Sequence, residues 1–145
     1  MPLIRNGAIA QDGWVFLADH AALPDCGPVA VTPARWRREK ETLRRRGEPL
    51  GVYLQSDEQA DDIAAELHEF TLIALDFPTF RDGRPYSTAR LLRERYGFKG
   101  ELRAVGDVAR DQFLFMHRCG FDAFQASGGG ALEGGLRAIS EISVW

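Results

Sequence analysis

A chain of 145 residues with 45% hydrophobic and 27% charged side chains has enough apolar material for one buried core and too much for a disordered protein. No apolar run approaches the roughly 20 residues that cross a bilayer, and residues 1–6 lack the basic-then-apolar layout of a secretory leader, so the expectation is a cytoplasmic protein forming one α/β domain over residues 1–145. The net charge of -3 argues against general nucleic-acid binding, and Cys26 and Cys119 form no CxxC pair, which argues against a disulfide framework, a zinc site or a four-cysteine cluster.

Residues 3–17 hold short apolar pieces separated by Asn6-Gly7 and Asp12-Gly13, dipeptides that accept the positive φ of tight hairpin turns, and read as a small antiparallel ribbon. A Pro/Gly-rich link over residues 24–28 follows, and beyond it strands alternate with helices. The first strand is residues 29–31. Thr32 then supplies an N-cap and Pro33 a first helical position for a charged helix that runs to Arg46, with Trp36 and Leu43 inward and Gly47 as its stop. Residues 50–54 form the next strand, and Ser56 with Gln59 makes a capping box for a helix whose Ala60, Ile63, Leu67 and Phe70 share one face.

The nearly continuous apolar run at residues 71–75 fits a strand buried on both faces. A helix over residues 87–96 follows, with Ala89, Leu92 and Tyr96 inward and Gly97 as its C-cap. Residues 102–105 form a strand leading through Gly106 and Asp107 into a helix that carries Val108, Gln112, Phe115, Met116 and Cys119. A strand at residues 121–125, the glycine-rich turn 127–130, a helix bearing Leu132, Leu136 and Ile139, and residues 142–145 complete the chain. About five strands with four intervening helices imply an α/β fold: a mostly parallel sheet with right-handed βαβ crossovers, preceded by the antiparallel ribbon. A doubly wound sheet is the first expectation and an incomplete β/α barrel the second.

Ligands of parallel α/β folds gather outside the carboxyl ends of the strands, so the segments after each strand are where chemistry belongs. The connection after the 71–75 strand is long for its kind and dense in arginines, aromatics and carboxylates. Its functional reading is an anion site in which Arg81 and Arg84 supply guanidinium groups, Tyr86 and an N-cap Ser87 add donors, and Asp82, Arg90 and Asp107 are further ligand-binding residues. The structural alternative is a turn at Asp82-Gly83, Asp76 paired with an arginine, and Phe77 and Phe80 packed. Asp107 reads first as a helix cap. The glycine turn fits neither GxGxxG nor GxxxxGK[ST] and reads as a connector.

The basic helix, with Arg35, Arg37, Arg38, Lys40, Arg44, Arg45 and Arg46, reads as a solvated face partly neutralised by Glu39 and Glu41, with docking to an acidic partner or nucleic acid as the alternative. His20, His68 and His117 stand singly and show no metal-ligand spacing. Cys119 reads as a core residue and Cys26 as exposed. No catalytic motif, and so no catalytic residue, emerges from spacing alone.

Over residues 80–93, 100–107 and 118–124 the sequence resembles an uncharacterised bacterial family often encoded beside assimilatory sulfite reductase and described as probable oxidoreductases of sulfite reduction. The resemblance covers nearly the whole chain, most specifically residues 72–124. It implies a role in making sulfide for cysteine biosynthesis, with sulfite reductase or another sulfur-assimilation protein as partner. The residues show neither the cysteines of a cluster nor a flavin or nicotinamide fingerprint. The leading expectation is therefore an accessory protein that binds sulfite reductase or a small anionic ligand of that pathway. The alternative is a small oxidoreductase subunit holding a flavin or nicotinamide cofactor.

Overall fold

The computed structural model describes residues 3–5, 8–10, 13–79, 81–108 and 112–126. The expected turn at Asn6-Gly7, the side chain of Phe80, the glycine-rich turn at 127–130, the last helix and residues 142–145 lie outside the described residues.

Among the described residues eight strands make one sheet: β1 (Leu3–Arg5), β2 (Ala8–Ala10), β3 (Val15–Phe16), β4 (Val29–Val31), β5 (Leu50–Leu54), β6 (Leu72–Phe77), β7 (Glu101–Gly106) and β8 (Ala123–Ala126). Their spatial order is β2-β1-β8-β7-β6-β5-β4-β3. From β3 to β8 every neighbouring pair is parallel, while β1 pairs antiparallel with both β2 and β8. The α/β expectation holds, and the five strands expected after residue 28 are all present. The strand count and the arrangement differ. The N-terminal stretch is not one ribbon: β1 and β2 form a hairpin on one edge, whereas β3 crosses to the opposite edge and lies parallel to β4.

A doubly wound sheet needs a reversal of strand order, and β3 to β8 run consecutively without one. Right-handed crossovers that always step the same way place every crossover on one face. The apolar core agrees. Val29 and Val31, Leu50, Val52 and Leu54, Ile73, Leu75 and Phe77, Leu102 and Ala104, and Phe124 join it from alternate strand positions, and Trp36, Leu43, Ile63, Leu67, Leu92, Phe113 and Met116 meet them from the crossovers.

The opposite face is concave. The guanidinium of Arg103 on β7 lies 5.9 Å from the ring of Phe16 on β3. Four strand spacings of roughly 4.8 Å would hold those backbones about 19 Å apart in a flat sheet. The sheet is therefore rolled, in the manner of the open-barrel alternative. Small residues line the inside of the roll: Ala30, Gly51, Ala74 and Ala123 share it with Tyr53, Leu72, Arg103 and Gln125. A Cβ on Gly51 would stand 3.1 Å from the Trp14 ring, so glycine here is what lets the tryptophan lie on the sheet.

α1 (Pro33–Arg45) begins as its sequence dictates: Thr32 Oγ1 accepts the Arg35 amide at 3.1 Å, Pro33 opens the first turn, and Trp36 and Leu43 are buried. The segment expected to be a capped helix from Ser56 is instead two 3-10 turns, Ala60–Asp62 and Ala64–Glu69, with Gln59 rather than Ser56 in the capping box, closed by Asp62. Its four apolar residues Ala60, Ile63, Leu67 and Phe70 are buried as expected. α2 (Arg84–Arg90) runs into a π turn, Leu91–Arg95, in which Tyr96 N–H donates to the Leu91 carbonyl at 3.0 Å. α3 spans Phe113–Arg118. Among the described residues no helix is long and apolar enough to cross a membrane.

The basic face of α1 is neutralised more widely than its own glutamates allow. Glu39 pairs with Arg35 and Arg38, and Glu41 with Arg44, but Lys40 reaches Glu66 at 2.7 Å and Arg44 reaches Glu69 at 3.2 Å. Arg35 is buried and donates to the Ala18 carbonyl at 2.7 Å, so it belongs to the scaffold.

Candidate functional site

The structure divides the residues expected at the anion site into two groups. The first stands at the carboxyl ends of β5 and β6. Asp82-Gly83-Arg84-Pro85 closes an Asx turn, in which Asp82 Oδ1 accepts the Arg84 amide at 3.0 Å, and the proline suits the first helical turn. The Arg84 guanidinium then folds back onto Asp82 in a forked pair, with Nε to Oδ1 at 3.0 Å and Nη2 to Oδ2 at 2.7 Å, while Nη2 also donates to Ser56 Oγ at 2.8 Å. This pair holds the Asp82 carboxyl well below the usual carboxylate range and raises the Arg84 pKa. The structural alternative, a turn with an internal ion pair, describes these two residues, with Asp82 as the partner of Arg84.

The second group lies on α2 and α3. Helix α2 starts three residues earlier than expected, so Ser87 is an exposed residue inside its first turns and not an N-cap. Tyr86 donates its hydroxyl to Gln112 Oε1 at 3.3 Å, and its ring packs between Phe77, with centroids 5.2 Å apart, and Phe115, 4.8 Å apart. Arg90 is exposed, with its guanidinium 5.8 Å from the Phe115 ring. Phe115, expected on the helix stripe with Met116 and Cys119, is 43% exposed, and Leu91, next to Arg90 in the sequence, is 38% exposed. Arg81 is exposed beyond β6. Asp107, exposed after β7, anchors its backbone by donating its amide to the Phe77 carbonyl at 2.8 Å. Gln112, not Asp107, is the residue before α3, and residues 109–111, on which capping by Asp107 depends, lie outside the described residues.

Sequence reasoning missed a second polar cluster on the concave face. Arg103 is fully buried and donates from Nε to Glu101 Oε2 at 2.9 Å and from Nη1 to Gln125 Oε1 at 3.2 Å, and Arg5 pairs with Glu101 Oε1 at 2.6 Å. Its only signal in the sequence is a charged residue inside an apolar strand. Higher on the same face is Asp76, in register with Val105 and Gln125. Burial, then the nearby Asp82 charge, raises its pKa.

A carboxyl whose pKa is higher in the folded than in the unfolded chain contributes stability below the unfolded pKa and loses it as pH rises through the folded one. Asp76→Asn should therefore raise the midpoint of thermal unfolding at pH 7 and leave it unchanged near pH 3, both read by scanning calorimetry. Its partial exposure screens the gain to under about 1 kcal/mol. Equal shifts at both pH values would show that Asp76 ionises normally.

Among the described residues no group of His, Cys, Asp and Glu could hold a metal ion. Both thiols are free, Cys26 exposed and Cys119 buried.

These elements lie largely within the segment that a family model matches, residues 51–145, under the description "Bacterial protein of unknown function (DUF934)". The chain belongs to that family. No curated protein matches it. The DUF934 segment contains β5 from Gly51 onward, β6 to β8, α2 and α3, and with them the Asp82–Arg84 pair, the Arg90–Phe115 contact and Arg103.

Proposed function

We propose that this DUF934 protein is an accessory protein of assimilatory sulfite reduction that works by binding a protein of that pathway, sulfite reductase first, through the face formed by α2 and α3. The pathway rests on the resemblance set out from residues 80–124. The mode of action rests on one observation: Phe115 stands exposed with the Arg90 guanidinium 5.8 Å from its ring, whereas Arg84 is committed to Asp82 and Ser56. Arginine and aromatic side chains of this kind anchor protein interfaces. A guanidinium already forked onto a carboxylate is a poor receptor for a small anion, because the anion would have to displace its partner.

The reading is tested by titration calorimetry against purified sulfite reductase from the same source. Saturable binding is expected, weakening several-fold between about 50 and 200 mM salt as the arginine contribution is screened. Titration with sulfite or sulfate alone should give no saturable heat. Absence of heat with the reductase at several temperatures overturns the proposal.

A further inference from the structure

A cavity of about 360 Å³ lies at the amino ends of β6 and β7, the other end of the strands from the Asp82–Arg84 pair. That volume is at the low end of the roughly 300–1,000 Å³ of small-molecule sites. The second 3-10 turn enters β6 through Phe70 and the π turn enters β7 through residues 96–100, and both connections line the cavity. Its walls are apolar: Leu67, Phe70 and Phe98 are buried members of the core, and Tyr96 packs against that core. They are also held from outside. Phe98 N–H donates to the Leu92 carbonyl at 2.8 Å, and Arg93 Nη1 donates to the carbonyls of Phe98 and Gly100 at 2.8 and 2.9 Å, with its guanidinium 5.6 Å from the Phe98 ring. Gly100 lets that ring lie against the loop, since a Cβ there would stand 2.6 Å from Phe98 Cζ. The Tyr96 hydroxyl donates to Asp61. Walls fixed in this way need little further ordering when a ligand enters.

One charge on the lining is uncommitted. Of the two lysines in the chain, Lys40 pairs with Glu66 at 2.7 Å, whereas Lys99, exposed on the cavity lining, makes no ion pair or hydrogen bond among the described residues. No lining residue is acidic, and the adjoining carboxylates are engaged: Asp61 with Tyr96, and Glu69 with Arg44 at 3.2 Å and with the lining residue His68 at 3.6 Å. We infer that this cavity binds a small organic monocarboxylate, its aromatic or branched apolar body against Leu67, Phe70 and Phe98 and its carboxylate on the Lys99 ammonium. The site is separate from the reductase-binding face proposed above and does not depend on it. Charge and polarity select the class. One free ammonium matches one carboxylate. A cation would meet Lys99 as a like charge, and a ligand that is polar throughout would set its polar groups against the apolar walls without hydrogen-bond partners.

The probe is 3-phenylpropionate, with 3-phenylpropanamide as its uncharged counterpart, each titrated into the full chain by NMR. Expected are saturable shifts centred on residues 67–70 and 96–100, nuclear Overhauser contacts from the probe ring to Phe70 and Phe98, and a dissociation constant of about 1 mM or below. The amide should bind about threefold more weakly or worse. Lys99→Gln should lower the affinity for the acid to that for the amide, and Lys99→Glu should reverse the preference, binding 3-phenylpropylammonium more tightly than the acid. Lys99 is exposed, and an unchanged amide spectrum away from the cavity verifies the fold of both variants. Shifts centred elsewhere, absence of saturation at about 20 mM probe, equal binding of acid and amide, or Lys99→Gln without effect overturns the inference.

Discussion

Arg103→Ala is expected to destabilise the protein by about 3–5 kcal/mol, lowering the midpoint of thermal unfolding by roughly 10–15 °C. The guanidinium is fully buried on the concave face, where Glu101 and Gln125 accept its hydrogen bonds and Phe16 covers it. Removing it leaves Glu101, only 16% exposed at its side chain, with Arg5 as its remaining ion-pair partner here, and opens a cavity among Ala74, Ala123 and Phe16. Breaking one side of a buried pair costs more than replacing both sides, because the surviving charge stays desolvated. Arg103→Met combined with Glu101→Gln should therefore recover at least half of the loss. A single substitution that lowers the midpoint by less than about 3 °C would show that the roll does not depend on this pair.

The same arginine shows where the sequence stops being legible. Strands β4 to β8 are readable because each is a short apolar run bounded by turn residues, and the cap at Thr32-Pro33 is readable because its physics is local. The order of the strands is not local. Consecutive and doubly wound sheets use the same βα rhythm; the spatial order without a reversal separates them, and the contact of Arg103 with Phe16 across four strand spacings shows the roll. Once the inner face is known, Ala30, Gly51, Ala74 and Ala123 read as the space kept for Trp14, Phe16 and Arg103. Between Gln59 and Phe70 the buried set was legible but the helix type was not. The apolar steps are three, four and three residues, which two 3-10 turns broken at Ile63 satisfy as well as one α-helix does. At the candidate site, Arg84 and Arg90 look alike in the sequence. Their difference comes from what stands opposite: a carboxylate two residues back for one, and an exposed phenylalanine from another helix for the other.

Gly120→Ala is expected to cost about 3 kcal/mol through a clash that reaches well beyond its own turn. Gly120 has φ +114°, and a Cβ built there would stand 2.5 Å from Cγ of Arg93. Arg93 closes the amino ends of β7 and β8. Its Nε donates to the Gly120 carbonyl at 2.9 Å, its Nη1 donates to the carbonyls of Phe98 at 2.8 Å and Gly100 at 2.9 Å, and its Nη2 faces Asp122 at 3.5 Å. Asp122 in turn accepts the Leu102 amide at 2.7 Å, tying the start of β7 to the approach of β8. An alanine methyl strains the backbone and displaces Arg93, so three carbonyls and a half-buried carboxylate lose a donor together. The two effects separate in a double-mutant cycle. Arg93→Ala alone should cost about 2–3 kcal/mol, but in the Gly120→Ala background about 1 kcal/mol or less, because the guanidinium contacts are already lost. Additive costs, measured by urea denaturation at constant slope, would mean that Arg93 adapts to the methyl group and that the strained backbone alone accounts for the glycine.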